Sequence, residues 1–397
     1  MNTTIKNAIL ASMIELVASH RDELLKANQQ DLKEYDGGDQ AMYDRLKIDE
    51  SKIEGMIRSI QQVMEKPDPI HVQRSAFQHP NGMAIYNRTA PFGTILIIYE
   101  SRPDVTIEAA VLAFKAGNRI LLKGGKEAHR SNEALVQLWK KALAQHQQSA
   151  DWIQYLRFNR TETQAFLKAP TQAIDLIVPR GGERLIDFVK THAKVPVLVS
   201  GRGNNFGYFH QAADWKKGQA IVLNAKTSKI SACNAMDKVL IDAQHPELEQ
   251  QLPTLLAALQ HAGVQVQVGP HLQQKFPDLD FPEIPDEAIW AEEFLAMKIV
   301  VELVETSNSA IDFINRYSGG HSVSIVTEDK AVATDFMERI DAAAVYHNAS
   351  TRFTDGGEFG MGAELAISTD KLHHRGPLGL EQLVTNKWYI YGDGQIR

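Results

Sequence analysis

The chain has 397 residues, 42 lysines and arginines against 49 aspartates and glutamates, 44% hydrophobic residues and a single cysteine. This length predicts two or three domains of about 150 residues each, and the composition is that of an ordinary globular protein. One cysteine excludes an internal disulfide and any zinc site built on two cysteines. The formal net charge of −7 argues against general binding to nucleic acid, which requires clustered Lys and Arg.

The N-terminal segment carries apolar residues at helical spacing between residues 4 and 29, which predicts one helix there. It is amphipathic with charges throughout, unlike a secretory signal. No apolar run approaches the roughly 20 residues of a membrane helix. We therefore expect a cytoplasmic protein that does not contact a membrane.

Strands and helices alternate over the first part of the chain, up to about residue 225. A hairpin is predicted first, over residues 73–89 around Pro80-Asn81-Gly82. Buried strands are then predicted at 94–99, 119–123, 174–178 and 195–199, and helices at 105–116, 127–144 and 183–192. This alternation predicts an α/β fold with a doubly wound parallel sheet, an architecture that often binds nucleotides.

A second alternating block follows Cys233. Strands are predicted at 238–241, 264–268, 298–304, 322–327 and 343–348, and helices at 246–261, 308–317 and 329–339. The tail, residues 386–397, predicts one more strand. Because exposed strands can pair with another subunit, the hairpin and the tail predict a homo-oligomer, either a dimer or a tetramer.

Two Gly-Gly turns directly follow predicted strands, in LLKGGKEAHR (121–130) and VPRGGERL (178–185). Glycine lets the backbone approach a ligand, and the helix N-terminus after each turn favours an anion. The cations around the first turn would suit a 2′-phosphate, although a tight turn with a solvated basic face is an equal alternative. The candidate cofactor-binding residues are Lys123, Gly124, Gly125, Arg180, Gly181 and Gly182.

Cys233 is a candidate nucleophile, because a thiolate activated by nearby cations is strongly nucleophilic at neutral pH. Lys226 and Lys229 are close to it in sequence. The alternative is a buried structural thiol. Arg102 in YESRPD (99–104) and Arg352 in NASTRFTDGGEFGMGAE (348–364) suit a carboxylate or phosphate, or else salt bridges between domains. The histidines show no metal-ligand spacing, so we infer no metal.

Five segments together resemble the gamma-glutamyl phosphate reductase family, the glutamate-5-semialdehyde dehydrogenases of the aldehyde dehydrogenase superfamily. They span most of the chain in the family's order, and the last of them is long and specific. The segments are APFGTILIIYESRPDVT (90–106), ILLKGGKEAHRSN (120–132), DLIVPRGGERL (175–185), LNAKTSKISACNAMDKVLI (223–241) and the segment 348–388.

The resemblance implies an aldehyde-dehydrogenase-like fold and an NADPH-dependent reduction of L-glutamate 5-phosphate to glutamate 5-semialdehyde, the second step of proline biosynthesis. It makes Cys233 the residue that forms a thioester, and places Ser101 where the superfamily has an oxyanion-binding asparagine. A kinase partner, glutamate 5-kinase, would supply the substrate. The residues implied to bind substrate or phosphate are Arg102, Ser350, Thr351 and Arg352.

Glu292 and Phe294 in WAEEFLAMKIV (290–300) resemble the Glu-x-Phe pair that aldehyde dehydrogenases place against the nicotinamide ribose, with Glu293 as the alternative to Glu292. On this basis residues 1–225 are the expected NADP-binding domain, interrupted by the oligomerisation hairpin 73–89. Residues 226–355 are the expected catalytic domain. Residues 356–397 are the expected return segment with an oligomerisation strand.

The chain departs from related patterns at two places. Val199 stands where hydrolytic aldehyde dehydrogenases carry a glutamate base, which favours phosphate over water as the second partner of the thioester. After Gly203 the reductase family usually shows a Cys-His pair, whereas this chain reads NNFGYF (204–209). Two competing functions are a hydrolytic aldehyde dehydrogenase and a non-catalytic nucleotide-binding scaffold.

Overall fold

The computed structural model describes residues 1–38, 40–199 and 201–397. The helices are α1 Thr3–Ser19, α2 Arg21–Glu34, α3 Gln40–Leu46, α4 Glu50–Glu65, α5 Val105–Lys115, α6 His129–Gln145, α7 Arg160–Lys168, α8 Glu183–His192, α9 Trp215–Thr227, α10 Leu248–His261, α11 Pro270–Lys275, α12 Ser307–Tyr317 and α13 Lys330–Arg339. In these described ranges, no helix has the length and apolar character needed to cross a membrane.

The strands group into sheets whose orders differ from the order along the chain. They are β1 Gln73–Gln78, β2 Ala84–Pro91, β3 Thr94–Tyr99, β4 Arg119–Lys123, β5 Ile153–Tyr155, β6 Leu176–Arg180, β7 Asn205–Phe209, β8 Met236–Asp242, β9 Gln265–Val268, β10 Lys298–Val304, β11 Ser322–Val326, β12 Ala344–His347, β13 Ile367–Ser368, β14 Gly376–Pro377 and β15 Val384–Tyr391.

The first parallel sheet has the order β5-β4-β3-β6. Successive side chains of a strand point to opposite faces, so each strand serves two apolar layers. Ile95 and Ile97 pack with residues of α1, α4, α5 and α6, whereas Leu96 and Ile98 pack with residues of α7 and α8. Helices on both faces explain the continuous apolar strands and confirm the predicted doubly wound α/β arrangement.

The second parallel sheet has the order β12-β11-β7-β8-β10-β9. Phe209 and Val239 pack on one face with residues of α9 and α10. Phe206 and Tyr208 pack on the other with residues of α12 and α13. The register of β7 on β8 shifts by one residue at Asp237, because Asn205 pairs with Met236 and Phe206 with Lys238.

The chain divides into two compact units at a different point from the predicted one. One unit comprises Met1–Ser200, Gly360–Ala366 and Pro377–Arg397, and the other Gly201–Phe359 and Ile367–Gly376. The predicted boundary after residue 225 would assign β7 and α9 to the first unit. However, β7 pairs in parallel with β8 and β11, so its hydrogen bonds place this segment in the second sheet.

The predicted hairpin and tail strand lie together in an antiparallel sheet of order β1-β2-β15. The hairpin closes with a hydrogen bond from the His79 N–H to the Met83 carbonyl at 2.8 Å. The tail strand pairs along the whole of β2, from Val384 opposite Pro91 to Tyr391 opposite Ala84. Large apolar side chains on this sheet, Phe77 and Trp388 among them, are exposed.

Two sequence predictions of secondary structure are wrong. The strand predicted at 195–199 is a single parallel bridge from Val197 to Ile177, because Pro196 has no N–H to extend the ladder. The single helix predicted over residues 4–29 is divided into α1 and α2 at His20. There the backbone leaves the helical conformation, with φ −109° and ψ 26° at His20, and the ring Nδ1 of His20 also bonds the Leu16 carbonyl.

Gly93→Ala should destabilise the first unit. Gly93 has φ +129°, and an added Cβ would lie 2.1 Å from Oδ2 of Asp175, the atom that accepts the Thr94 N–H at 2.7 Å. We expect the free energy of unfolding to fall by about 1–3 kcal/mol, measured by urea denaturation. Gly55→Ala in α4, where the nearest atom is 4.0 Å away, should instead add about 0.5–1 kcal/mol. Equal effects of the two substitutions would contradict the expected strain at Gly93.

Candidate active site

Cys233 lies in the loop between α9 and β8, where its side chain is half-buried. The loop packs backbone to backbone against Gly203. A Cβ on Gly203 would lie 2.0 Å from the Cys233 carbonyl oxygen and 2.6 Å from its Cα. Only glycine therefore fits opposite the candidate nucleophile without moving it.

Asn205 holds this loop through its side-chain amide. Its Nδ2 lies 2.7 Å from the Gly203 carbonyl oxygen, 2.8 Å from that of Cys233 and 2.7 Å from that of Ala235. Its Oδ1 accepts the Ser322 N–H at 2.9 Å. Asn205 is fully buried, so these contacts are shielded from water. Sequence reasoning missed it; the signal that could have indicated it was a polar residue opening the aromatic run NNFGYF.

The segment 350–354 is hydrogen-bonded to Asn234, the residue after Cys233. Asn234 donates from Nδ2 to the carbonyls of Arg352 at 3.1 Å and Thr354 at 2.9 Å. Thr351 donates from Oγ1 to the Asn234 carbonyl at 2.7 Å. Thr351 is completely buried, and its hydroxyl proton is used in this bond. Its place in the structure is therefore that of a support for the loop.

The other two predicted substrate-binding residues of this segment differ in exposure. Ser350 is buried, and its hydroxyl accepts the Arg352 N–H at 3.3 Å. Arg352 is half-buried, and its Nε donates to the Ser228 hydroxyl at the end of α9, at 2.9 Å. The structure thus brings Ser350, Thr351 and Arg352 together with the loop of Cys233.

Glu292 and Phe294 are the pair predicted to contact the nicotinamide ribose, and Phe294 is hydrogen-bonded to the start of β8. The Asp237 carboxylate accepts the Phe294 N–H at 2.8 Å and the Lys226 ammonium at 2.7 Å. The two side chains of this ion pair are 0% and 3% exposed. Removal of one partner from such a buried ion pair strongly lowers stability. Because Phe294 is bonded to Asp237, the position of Phe294 depends on this ion pair. Glu292 is exposed to solvent.

Lys238 is a buried lysine that contacts both Glu292 and Phe294. Its Nζ donates to Oδ1 of Asn204 at 2.6 Å and to the Glu292 carbonyl, and lies 3.8 Å from the centre of the Phe294 ring. Burial lowers the pKa of Lys238 to about 7, although the nearby carboxylates of Asp237 and Glu292 act in the opposite direction. Nothing in its sequence context indicated this residue.

The first unit gathers the other group of predicted residues at one sheet edge. The ends of β4, β3 and β6 are neighbours, so the segments after them lie side by side, where open α/β sheets bind ligands. Arg102 is exposed there, and Lys123 is partly buried. These segments carry the predicted residues Ser101, Arg102, Lys123, Gly124, Gly125, Arg180, Gly181 and Gly182.

Two carboxylates that no sequence pattern indicated occupy this edge. Glu100 accepts the Gly182 N–H at 2.9 Å, at the N-terminus of α8. Glu127 accepts the N–H of Ser101 at 2.9 Å and its hydroxyl at 2.6 Å. Burial lowers the pKa of Lys123, whereas the charges of Glu127 and Glu100 raise it. Because the Gly182 N–H is bonded to Glu100, a phosphate that bound this amide would replace the Glu100 carboxylate.

Ser101 is held in an uncommon conformation at the same edge. It is 1% exposed and has φ +30°, which is unusual for a residue with a Cβ. Its two hydrogen bonds to Glu127 hold it there. Among the residues the structure describes, no group of three or more His, Cys, Asp or Glu side chains is arranged to hold a metal ion.

No model of a protein family matches the chain. Among curated proteins, it is 40% identical over 398 residues to the gamma-glutamyl phosphate reductase of Clostridium perfringens, covering 100% of this chain and 95% of that protein. It is 42% identical over 406 residues to the enzyme of the same name from Symbiobacterium thermophilum, covering 99% and 94%. The chain belongs to the gamma-glutamyl phosphate reductase family.

Solved structures agree with this assignment. The crystal structure of gamma-glutamyl phosphate reductase from Thermotoga maritima superposes with a TM-score of 0.95 at 37% identity, covering 100% of this chain and 95% of that chain. An acetylating aldehyde dehydrogenase from Geobacillus thermoglucosidasius gives a TM-score of 0.69 at 16% identity, covering 100% and 93%. The second likeness shows the fold alone, and it confirms the predicted aldehyde-dehydrogenase-like fold class.

Lys238→Met should change how stability depends on pH. The ordinary lysine pKa is 10.5 and that of folded Lys238 is about 7, so between these values the unfolded chain binds more protons than the folded protein. The free energy of unfolding therefore rises with pH across this window because of Lys238. Urea denaturation at about pH 7.5 and pH 9.5 should show a smaller rise for Lys238→Met than for the wild type.

The exposed Lys216 of α9 provides the matched control. Lys216→Met also removes one lysine but should keep the wild-type rise. The same pH dependence in Lys238→Met and Lys216→Met would show that the pKa of Lys238 is not lowered in the folded protein.

Proposed function

We propose that this chain reduces L-glutamate 5-phosphate to L-glutamate 5-semialdehyde with NADPH and releases phosphate, as in the second step of proline biosynthesis. The observation that carries the proposal is the presence of Cys233, in a tightly held loop, in a chain about 40% identical to named reductases over its full length. The enzyme class is that of an NADP-dependent acyl-phosphate reductase.

Cys233 is the proposed nucleophile. Its thiolate attacks the acyl carbon, the bond from that carbon to the phosphate oxygen breaks, and inorganic phosphate leaves with the electron pair. The product is a thioester on Cys233. NADPH, when bound, supplies the hydride that reduces this thioester. Collapse of the resulting thiohemiacetal then restores the Cys233 thiolate and frees the aldehyde.

Negative charge on the substrate oxygen needs a hydrogen-bond donor during these steps. We propose the backbone N–H of Cys233 for this role, because it lies on the nucleophilic residue itself, in a loop that Asn205 holds through the Cys233 carbonyl. Ser101 remains the predicted second donor. Its hydroxyl donates to Glu127 in the structure, so this role would require it to exchange partners.

The residues proposed for the cofactor have chemistry that fits a dinucleotide. Lys123 provides a cation and Gly182 a backbone amide already bonded to an anionic group. Glu292 and Phe294 are proposed for the nicotinamide ribose. A glycolyl-CoA reductase with this fold was solved with NADP⁺ bound. The residues proposed for cofactor binding are Lys123, Gly124, Gly125, Arg180, Gly181, Gly182, Glu292 and Phe294.

Substrate recognition is proposed to depend on arginine. Arg352 has a planar guanidinium suited to a carboxylate or phosphate, and lies in a segment bonded to the loop of Cys233. Arg102 is the second candidate, since it is exposed beyond β3. Ser350 and Thr351 would act by shaping this segment. The substrate is a small molecule in either case.

Further proposals concern organisation and partners. We propose a cytoplasmic homo-oligomer, a dimer or a tetramer, that pairs through the β1-β2-β15 sheet. The exposed side chains of Phe77, Trp388 and Ile390, which are 57%, 53% and 56% exposed, support this proposal. The first unit is the proposed NADP-binding part and the second the catalytic part. Glutamate 5-kinase is the proposed supplier of the acyl phosphate.

Cys233→Ser should reduce turnover at least about 1,000-fold, because a hydroxyl without a paired base is a poor nucleophile. The measurement is NADP⁺ reduction with glutamate 5-semialdehyde, with and without inorganic phosphate. This reverse direction avoids the unstable acyl phosphate. The exposed Ser231 provides the control: Ser231→Ala should retain activity.

The outcomes separate the competing functions. Turnover that requires both phosphate and Cys233 supports the acyl-phosphate reductase. Turnover without phosphate identifies a hydrolytic aldehyde dehydrogenase. Binding of NADP⁺ without turnover in the wild type identifies a nucleotide-binding scaffold. The second and third outcomes each overturn the proposed function.

Arg352→Ala should raise KM for glutamate 5-semialdehyde about tenfold to 100-fold with a smaller change in kcat, since it removes a contact made in both ground and transition states. Arg352→Lys keeps the charge without the bidentate geometry and should be intermediate. Steady-state kinetics at saturating NADP⁺ and phosphate measure both. As a control, Arg339→Ala removes an arginine that pairs with Asp335 on α13, and should leave KM unchanged. An unchanged KM in Arg352→Ala would contradict a contact between Arg352 and the carboxylate of the substrate.

A further inference from the structure

We infer that Asn205 is a positioning residue for the nucleophile: its buried amide fixes the backbone of Cys233 and so sets the orientation and reactivity of the thiol. The effect on catalysis rests on the proposed function. The effect on thiol reactivity does not, because it can be measured without substrate or cofactor.

Three backbone oxygens meet the side chain of Asn205. The carbonyls of Gly203, Cys233 and Ala235 all lie within 2.8 Å of its Nδ2. The amide nitrogen carries two protons that these three oxygens share. With Asn205 0% exposed, water does not reach this atom, so a carbonyl that lost this donor would be buried without a partner, which is destabilising.

Asn205 also anchors the loop to the sheet. Its Oδ1 accepts the N–H of Ser322, the first residue of β11, at 2.9 Å. Asn205 itself opens β7, which lies between β11 and β8. The Cys233 carbonyl is thus bonded to the side chain of Asn205. The backbone of Asn205 belongs to β7, and its Oδ1 is bonded to β11. A site held by such elements is more accurately placed than one held by a loop alone.

The surroundings of Asn205 require an amide in particular. Asn205 supplies donors and an acceptor at once, whereas a serine hydroxyl supplies one proton and a thiol is only a weak donor. Asn205 stands in the segment NNFGYF, where the chain departs from the Cys-His pair usual after Gly203 in the family. From this segment the Asn205 amide donates to the Cys233 carbonyl at 2.8 Å.

The reactivity of Cys233 provides the direct test, since it is the single cysteine of the chain. Alkylation by iodoacetamide at pH 7, followed by mass spectrometry, therefore reports Cys233 alone. Asn205→Ser and Asn205→Asp should slow alkylation about tenfold, because peptide dipoles that are no longer fixed stabilise the thiolate less well. In the reverse reaction, kcat should fall at least about tenfold, with KM within about twofold of wild type.

Asn118 is a matched control for the loss of a buried amide. It is also 0% exposed; its Nδ2 donates to the Leu383 carbonyl at 2.9 Å and its Oδ1 accepts the Gly93 N–H at 3.1 Å. Asn118→Ser should lower Tm to a similar extent as Asn205→Ser. It should leave both the alkylation rate and kcat of the folded protein at wild-type values.

The folded fraction of each variant is measured by near-UV circular dichroism, and rates are expressed per folded molecule. If Asn205→Asp does not fold because a carboxylate faces three carbonyls, Asn205→Ser decides the question. Alkylation of Asn205→Ser at the wild-type rate, with kcat lowered no more than in Asn118→Ser, would overturn the inference. If the wild type shows no reductase activity, the proposed function fails, and the alkylation rates still decide the role of Asn205.

Discussion

Hydrogen bonds from two buried amide side chains to backbone carbonyls hold the loop of Cys233 in place. A loop between a helix and a strand has no ladder of its own, and each buried carbonyl in it needs a donor. Asn205 supplies donors on the side of the sheet, and Asn234 on the side of the segment 350–354. Thr351 completes this second connection through the Asn234 carbonyl. These hydrogen bonds therefore join the loop of Cys233 to the candidate substrate-binding segment.

Charged groups in both units are held by backbone as well as by opposite charge. In the second unit, Asp237 bonds both the Lys226 ammonium and the Phe294 N–H. In the first unit, the carboxylates of Glu100 and Glu127 bond the N–H groups of Gly182 and Ser101. Oriented peptide dipoles offset part of the cost of removing these charges from water.

Secondary structure followed the sequence where the hydrophobic pattern was regular. The apolar runs 119–123 and 298–304 are strands with those bounds, and the segment 183–192 is a helix with those bounds. Strand β7 was not predicted, although its aromatic residues were a usable sign of a strand. The reason is that Asn205 and Gly207 interrupt the apolar pattern. Both are explained by tertiary contacts: Asn205 bonds the loop, and the side chain of Met236 lies against Gly207.

The amino-acid sequence by itself determined the alternation of strands and helices, the identity of the nucleophile candidate and the family, because these depend on local periodicity and residue order. Only the tertiary structure decided which polar side chains support that nucleophile. Asn205 and Asn234 bond residues 28 and 120 positions away in the chain. No local pattern encodes such contacts, since they exist only after parallel strands bring distant segments together.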